Sequence, residues 1–418
     1  MPSTVQPGEA YDALPEPHQR AYRTLGIHPG KHISAAAAAV VLDTPHEQAV
    51  THLDALAAAG LLEECESGRY RFAAGAHDHA LGMAEGYDSV RHRIRTLDRT
   101  IDWYLVKVLE ADLTAMPDRL RTSPRYRRVE RGAFDDAAAA LDWVDHHLDV
   151  LHAQVIAAYE NGMYEQVVAM AEGLRSVFLH RSHRRCTEVW HAATQMAVAA
   201  ARMLGDRMLV GRMLTARASY LLHVGELARA LTCSREATQA ARKARDLPGE
   251  AAAAEIEGVV RLSLGEAAAA EARFRAACAL FEEADDARGT ALLNRRLAEV
   301  AVVQGDYDTA LARFRTVRSL FTDLGDRYNL VRTGALVGAV HIRMNNPTAA
   351  KPELERALEI AEQITHTGIQ ADIHTSLALI ATDEATAIYH QDKVVELLQW
   401  PHSPGPQAAQ PAADPTGA

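Results

Sequence analysis

Aromatic side chains make up only 6% of the 418 residues, while 48% are apolar and alanine runs are long. Alanine is the strongest helix former, whereas aromatic and β-branched residues favour strands, so the scarcity argues against a sheet protein and for helices. No uncharged apolar run reaches the ~18 residues a membrane helix needs, and the opening MPSTVQPGEA lacks the basic start and apolar stretch of a secretory signal. The expected location is the cytoplasm, away from any membrane. Cys65, Cys186, Cys233 and Cys278 are far apart with no C-x-x-C pairing, which suits reduced thiols rather than a disulfide framework or zinc site. Positive charge is also short: the net charge of −11 weighs against a broad surface for nucleic acid.

Catalytic signatures are missing as well. The string nearest to a phosphate-binding GxxxxGK[ST] is GIHPGKH at 26–32, one residue short and ending in His where a magnesium-binding hydroxyl belongs. The twenty histidines show no H-E-x-x-H pair, and the adjacent His146 and His147 would point in different directions on a helix. No G-x-S-x-G elbow is present. The expectation is a non-enzymatic chain with no catalytic, cofactor or metal residues.

What is present is a repeat with a step of forty. Gly225, Gly265, Gly305 and Asn345 each stand between two helical patterns, where a residue tolerant of positive φ lets the chain reverse. Small residues precede them by seven (Ala218, Gly258, Ala298, Gly338) and follow by five (Ala230, Ala270, Ala310, Ala350). Then come Ser234, Phe274, Phe314 and Leu354, followed by Ala237, Ala277, Val317 and Ala357. Small residues let paired helices approach, and a bulky one a turn later fills the gap to the next pair. The second connection is marked by LGD at 204–206, LPGE at 247–250, ADD at 284–286 and LGD at 324–326, with acids suited to starting a helix. This order resembles the tetratricopeptide repeat, with each helix longer by nearly a turn; a HEAT or armadillo array, closer in period, is the alternative. Six hairpins are expected over 164–400, the first turning near Arg185 and the last, degenerate, near Ala385 and ending at Trp400.

Ahead of this solenoid, residues 11–85 predict helices at 15–25, 35–42 and 45–59, then a β-hairpin of LLEEC and RYRF turning at Ser67-Gly68. Three helices and a two-stranded wing make a winged-helix pattern. Residues 91–160 read as a helical linker domain, and residues 1–10 and 401–418 as disordered.

The stretch from YDALPEPHQRAYRTLG to GRYRF, then TLDRTIDWYL, FDDAAAALDWVDHHLDVLHAQVIAAYENG and AAARMLGDR, resembles the portion C-terminal to the ATPase in bacterial NB-ARC regulators of antibiotic pathways. The resemblance runs over about 11–390 and implies a counterpart of their C-terminal half without the ATPase module, whose solenoid senses a partner or signal. Many relatives carry a His-Asp pair after the wing strand; Ala73 and Ala74 stand there here, and His77-Asp78-His79 reads as an exposed polar turn. The function expected is regulation by binding a protein, a peptide or a small anionic effector. An NB-ARC ATPase or a DNA-binding regulator is the implied partner.

A DNA-binding transcriptional regulator and the remnant of a longer regulator are the alternatives. For the first, the helix PHEQAVTHLDALAAAG that would enter the major groove has no Lys or Arg and carries Glu47 and Asp54. Residues 11–85 hold ten acids against five bases, so a protein-docking wing is expected. The basic run Arg119, Arg121, Arg125, Arg127, Arg128 and Arg131, and the smaller one at 181–185, read as solvated loops answered by nearby carboxylates. The functional surface is expected on the concave face of the solenoid, where repeat position selects Arg212, Ser219, Glu255, Arg295, Glu299 and Arg332.

Overall fold

The computed structural model describes residues 6–65, 68–117, 121–130, 132–180, 184–364 and 366–398. The chain is mainly helical, a winged-helix-like unit leading into a solenoid of tetratricopeptide-like hairpins. Its N-terminal elements are α1 (Pro7–Asp12), α2 (Glu16–Gly26), β1 (His32–Ser34), α3 (Ala35–Leu42), α4 (His46–Ala58), β2 (Leu62–Cys65), β3 (Arg69–Phe72) and α5 (Ala76–Tyr87). Alternation in RYRF turns Tyr70 and Phe72 into the core, and β3 pairs antiparallel with both β2 and β1. The short strand β1 is an addition to the expected hairpin; three residues have no sequence signal of their own and are held by pairing to β3. Ser34 ends this strand and starts α3, its Oγ accepting from the Ala37 N–H at 3.2 Å.

Several expectations need correction here. Residues 6–10 are not disordered: α1 covers most of them and its Tyr11 is buried. His77, Asp78 and His79 lie in α5, not in an exposed turn, because Ala76, Ala80 and Ala84 form a small-residue stripe that buries against α2. Tyr22 Oη donates to the Ala76 carbonyl at 2.6 Å and lies 3.1 Å from His79 Nδ1. Ser67, the tail 401–418 and Trp400 fall outside the described residues.

Helix α6 (Val90–Ala115) ties this unit to the C-terminal helices. Its Arg99 donates to the carbonyls of Val40 and Val41, both at 2.7 Å, satisfying the end of α3. The Tyr104 hydroxyl meets buried His28 Nε2 at 3.0 Å. A 3₁₀ turn (Pro124–Arg128), α7 (Ala137–His146) and α8 (Leu148–Glu160) lead to the solenoid. One connected set of buried apolar residues runs from Tyr11 to Val260, so packing is continuous across the divisions drawn at 85–91 and 160–164.

The solenoid comprises, among the described residues, six helix pairs: α9 (Tyr164–His180) with α10 (Arg184–Met203), α11 (Arg207–His223) with α12 (Leu227–Ala244), α13 (Leu247–Ser263) with α14 (Ala267–Glu283), α15 (Ala287–Val303) with α16 (Tyr307–Asp323), α17 (Arg327–Arg343) with α18 (Pro347–Gln363), and α19 (Thr367–Leu379) with α20 (Glu384–Leu398). Helices α13 to α18 are each 17 residues long, which accounts for the step of forty. Gly225, Gly265, Gly305 and Asn345 all have positive φ, as the hairpin turns require. The second connection repeats at Gly205, Arg245, Asp285 and Gly325, also at positive φ. LPGE is therefore the first turn of α13, not the connection, and Asp246 before it is the helix cap. Arg185 likewise lies inside α10, with 181–183 outside the described residues, and the last reversal comes before Glu384, ahead of Ala385.

The small and bulky positions of the repeat are all buried. The pairing is tight: a Cβ on Gly258 would overlap the Phe274 ring and one on Gly338 would overlap Leu354. Curvature then brings the ends together. Thr367 Oγ1 donates to the His180 carbonyl at 3.1 Å, and the His180 ring lies 4.6 Å from His366 and 6.0 Å from Tyr328, centre to centre.

Candidate functional site

Helices α9, α11, α13, α15 and α17 surround a cavity of about 500 Å³, with Trp190 of α10 and Phe281 of α14 reaching in. Of the six residues expected on the concave face, Arg212, Ser219, Glu255, Arg295 and Arg332 line it. Glu299 is not on the lining but is bonded to residues that are. Part of the wall is apolar, from Trp190, Met213, Leu222, Ile256 and Leu292.

The charged part is a network built by helical spacing. Arg295 and Glu299 are one turn apart, and Arg295 Nη1 donates to Glu299 Oε1 at 2.7 Å. Arg296 Nη1 donates to the other oxygen of Glu299 at 3.0 Å, and its Nε reaches Glu255 on α13 at 3.0 Å. Arg296 thus bridges two hairpins. Repeat position alone does not select it, because Arg296 stands 41 residues from Glu255, one beyond the repeat step that relates Glu255 to Arg295. Burial disfavours the charge on Arg296, but Glu299 and Glu255 outweigh that and hold its pKa above the ordinary value. Burial likewise opposes ionisation of Glu299, and Arg296, Arg295 and Arg332 together reverse the effect and lower its pKa. Arg295, 1% exposed, is pushed down to about 9 by burial and by the neighbouring Arg332.

The remaining residues have structural duties as well. Arg212 forks onto Asp246, and Arg288, another residue missed from sequence, reaches Asp326 at 2.7 Å. Ser219 Oγ donates to the Thr215 carbonyl at 3.1 Å. Arg332 lies over Tyr328, its guanidinium carbon 5.7 Å from the ring centre, and among the described residues it has no carboxylate within ion-pairing distance.

The two basic runs fare differently. Arg121 pairs with buried Asp112 at 2.8 Å and Arg125 with Asp102 at 2.9 Å, whereas Arg127 and Arg128 are exposed; Arg119 and Arg131 fall outside the described residues. In the second run Arg184 pairs with Glu188 and Arg185 with Asp149. Among the described residues no group of three His, Cys, Asp or Glu is placed to hold a metal ion, and no helix is long and apolar enough to cross a membrane.

Residues 289–363 match the tetratricopeptide repeat family. The matched segment spans α15 to α18, and so includes the Arg295, Arg296, Glu299 and Arg332 part of the network. Over 344 residues, 80% of its length, the chain is 27% identical to regulatory protein AfsR of Streptomyces coelicolor, and it spans 34% of that protein. Two solved structures align over most of the chain. They are aspartyl phosphate phosphatase F from Bacillus subtilis (10% identity, 95% of this chain and 85% of that one, TM-score 0.47) and a signal-transduction ATPase with a tetratricopeptide repeat sensor from Pyrococcus horikoshii (12% identity, 96% and 66%, TM-score 0.39). In tetratricopeptide terms, the cavity occupies the concave face formed by the first helices of successive hairpins.

Proposed function

We propose that the chain is a non-enzymatic regulatory protein that works by capture: the solenoid cavity takes a protein segment or a small effector, and the winged-helix-like unit docks on protein. The observation that carries this reading is the convergence of α9, α11, α13, α15 and α17 on one cavity of about 500 Å³, within the usual range of ~300–1,000 Å³ for a ligand site. Similarity to a regulatory protein over 80% of the chain supports the regulatory part. A role beside an NB-ARC ATPase or a DNA-binding regulator belongs to the same proposal.

The winged-helix-like unit is assigned to protein contact because the exposed residues of α4 include Glu47, Gln48, Thr51 and Asp54 and no Lys or Arg. Phosphate contacts rely chiefly on Lys and Arg.

The test is retention of a component of fractionated cell lysate by the immobilised chain, against a Ser219→Trp variant that fills the cavity. A specific component held by the wild type and released by the variant is expected. Equal retention by both would remove the cavity from the function.

A further inference from the structure

The charge pattern of the cavity narrows the class of ligand, an inference that rests on the capture reading. Arg212 and Arg288 are matched by Asp246 and Asp326. Asp286, also on the lining, has Oδ1 taken by the Gly289 N–H at the start of its own helix. Glu172 and Arg175 also line the cavity, and the acids and cations around it are close to balanced overall. Arg295, Arg296 and Arg332, however, share only Glu255 and Glu299 as ion-pair partners among the described residues, so Arg332 is the cation left without a carboxylate in contact. Asp372 of α19 is exposed and near enough to influence Arg332, but it is not paired with it. Arg295 is 1% exposed, lines the cavity, and its Nε has no hydrogen-bond partner among the described residues. An unsatisfied N–H on a buried guanidinium is costly, and an oxyanion is the partner whose geometry suits it. Apolar Trp190, Met213, Ile256 and Leu292 line the same cavity.

We propose that the cavity binds a small amphipathic molecule carrying one oxyanionic group, the anion held by Arg332 and Arg295 and the apolar body laid against Trp190, Met213, Ile256 and Leu292. The size of the cavity, about 500 Å³, sets the body at one or two rings or a short chain. Arg332 is the residue to remove: it is half-buried, has no carboxylate partner among the described residues, and carries no helix cap.

Two fluorescent probes separate the anion from the apolar body: anilinonaphthalene sulfonate, an aromatic monoanion, and phenylnaphthylamine, the same ring system without the charge. The wild type binds the sulfonate at one saturable site. Arg332→Gln weakens it roughly tenfold or more, the scale of one charge-assisted contact, and leaves the neutral dye within about twofold. Arg332→Lys, which keeps the charge, recovers part of the loss, and far-ultraviolet circular dichroism verifies the fold of each variant. Ala216→Phe, which fills the cavity wall, weakens both dyes.

Equal affinity for the two dyes, with Arg332→Gln changing neither, overturns the anion while leaving a cavity that binds. Binding of both dyes unaffected by Ala216→Phe, or no binding of either, overturns the cavity as a small-molecule site, whereas the capture reading itself falls only if Ser219→Trp leaves lysate retention unchanged.

Discussion

Arg212 on α11 grips Asp246, the residue that starts α13, through two hydrogen bonds of 2.8 and 3.0 Å. Asp246 in turn accepts from the Gly249 N–H at 3.2 Å, so one carboxylate both caps a helix and anchors the preceding hairpin. The same device recurs at Asp326, which accepts from the Asn329 N–H at 3.0 Å and is held by Arg288 at 2.7 Å. Caps joined to the neighbouring hairpin fix the angle between repeats, and that angle decides whether the inner helices converge on a cavity.

Asp326→Ala is therefore expected to destabilise the chain by about 2 kcal/mol, combining a lost cap with the lost partner of Arg288, a part-exposed cation. Asp286→Ala removes a cap that has no such arginine among the described residues and should cost distinctly less. Urea unfolding of the two variants checks this; equal losses would show that Arg288 contributes nothing between hairpins.

Gly258→Ala puts a methyl into the Phe274 ring, which is fully buried and would have to shift to admit it. Overpacking of this kind is expected to cost about 1–3 kcal/mol. Adding Phe274→Leu should return part of it, a coupling that a double-mutant cycle measures. Independent, additive losses would mean that the two helices do not meet as described.

Acid should weaken the N-terminal half through His28. Burial lowers its pKa from 6.5 to about 3. Between those values the unfolded chain binds a proton that the folded chain refuses, so stability falls as pH drops through this window, by up to about 1.4 kcal/mol per pH unit from this imidazole. His28→Gln can still bond the Tyr104 hydroxyl and cannot titrate. Its loss of stability from pH 6 to pH 4 should be the shallower of the two, whatever its starting stability. Parallel curves would place the acid sensitivity elsewhere.

Duplex DNA should not be retained. With Glu47 and Asp54 exposed on α4 and Glu63 paired to Arg71 on the wing, fluorescence anisotropy at low salt is expected to show binding weaker than about 100 μM. Tighter binding that weakens steeply with added salt would restore the transcription-factor reading.

Much of this architecture is legible in residue order. The forty-step rhythm works as a signal because glycine or asparagine at positive φ and a fully buried alanine are each demanded by backbone geometry, independently of what the solenoid binds. Segments held by tertiary contact are not legible in the same way. Strand β1 exists through β3, and α5 hides a buried alanine stripe behind a polar His-Asp-His run. At the site, repeat position finds Glu255, Arg295 and Arg332 but misses Arg288 and Arg296. Periodicity places a residue on a helix face, whereas convergence depends on the angle between hairpins, which is set by the Asp246 and Asp326 anchors.

The contact of His180 with Tyr328, His366 and Thr367 joins residues as much as 187 positions apart. An open array of stacked hairpins can gain or lose a member with only its length altered. Here the number of members is a whole-number constraint: taking out α13 and α14, or duplicating them, would leave the two lips out of register, so this scaffold can diversify by exchanging side chains but not by counting differently.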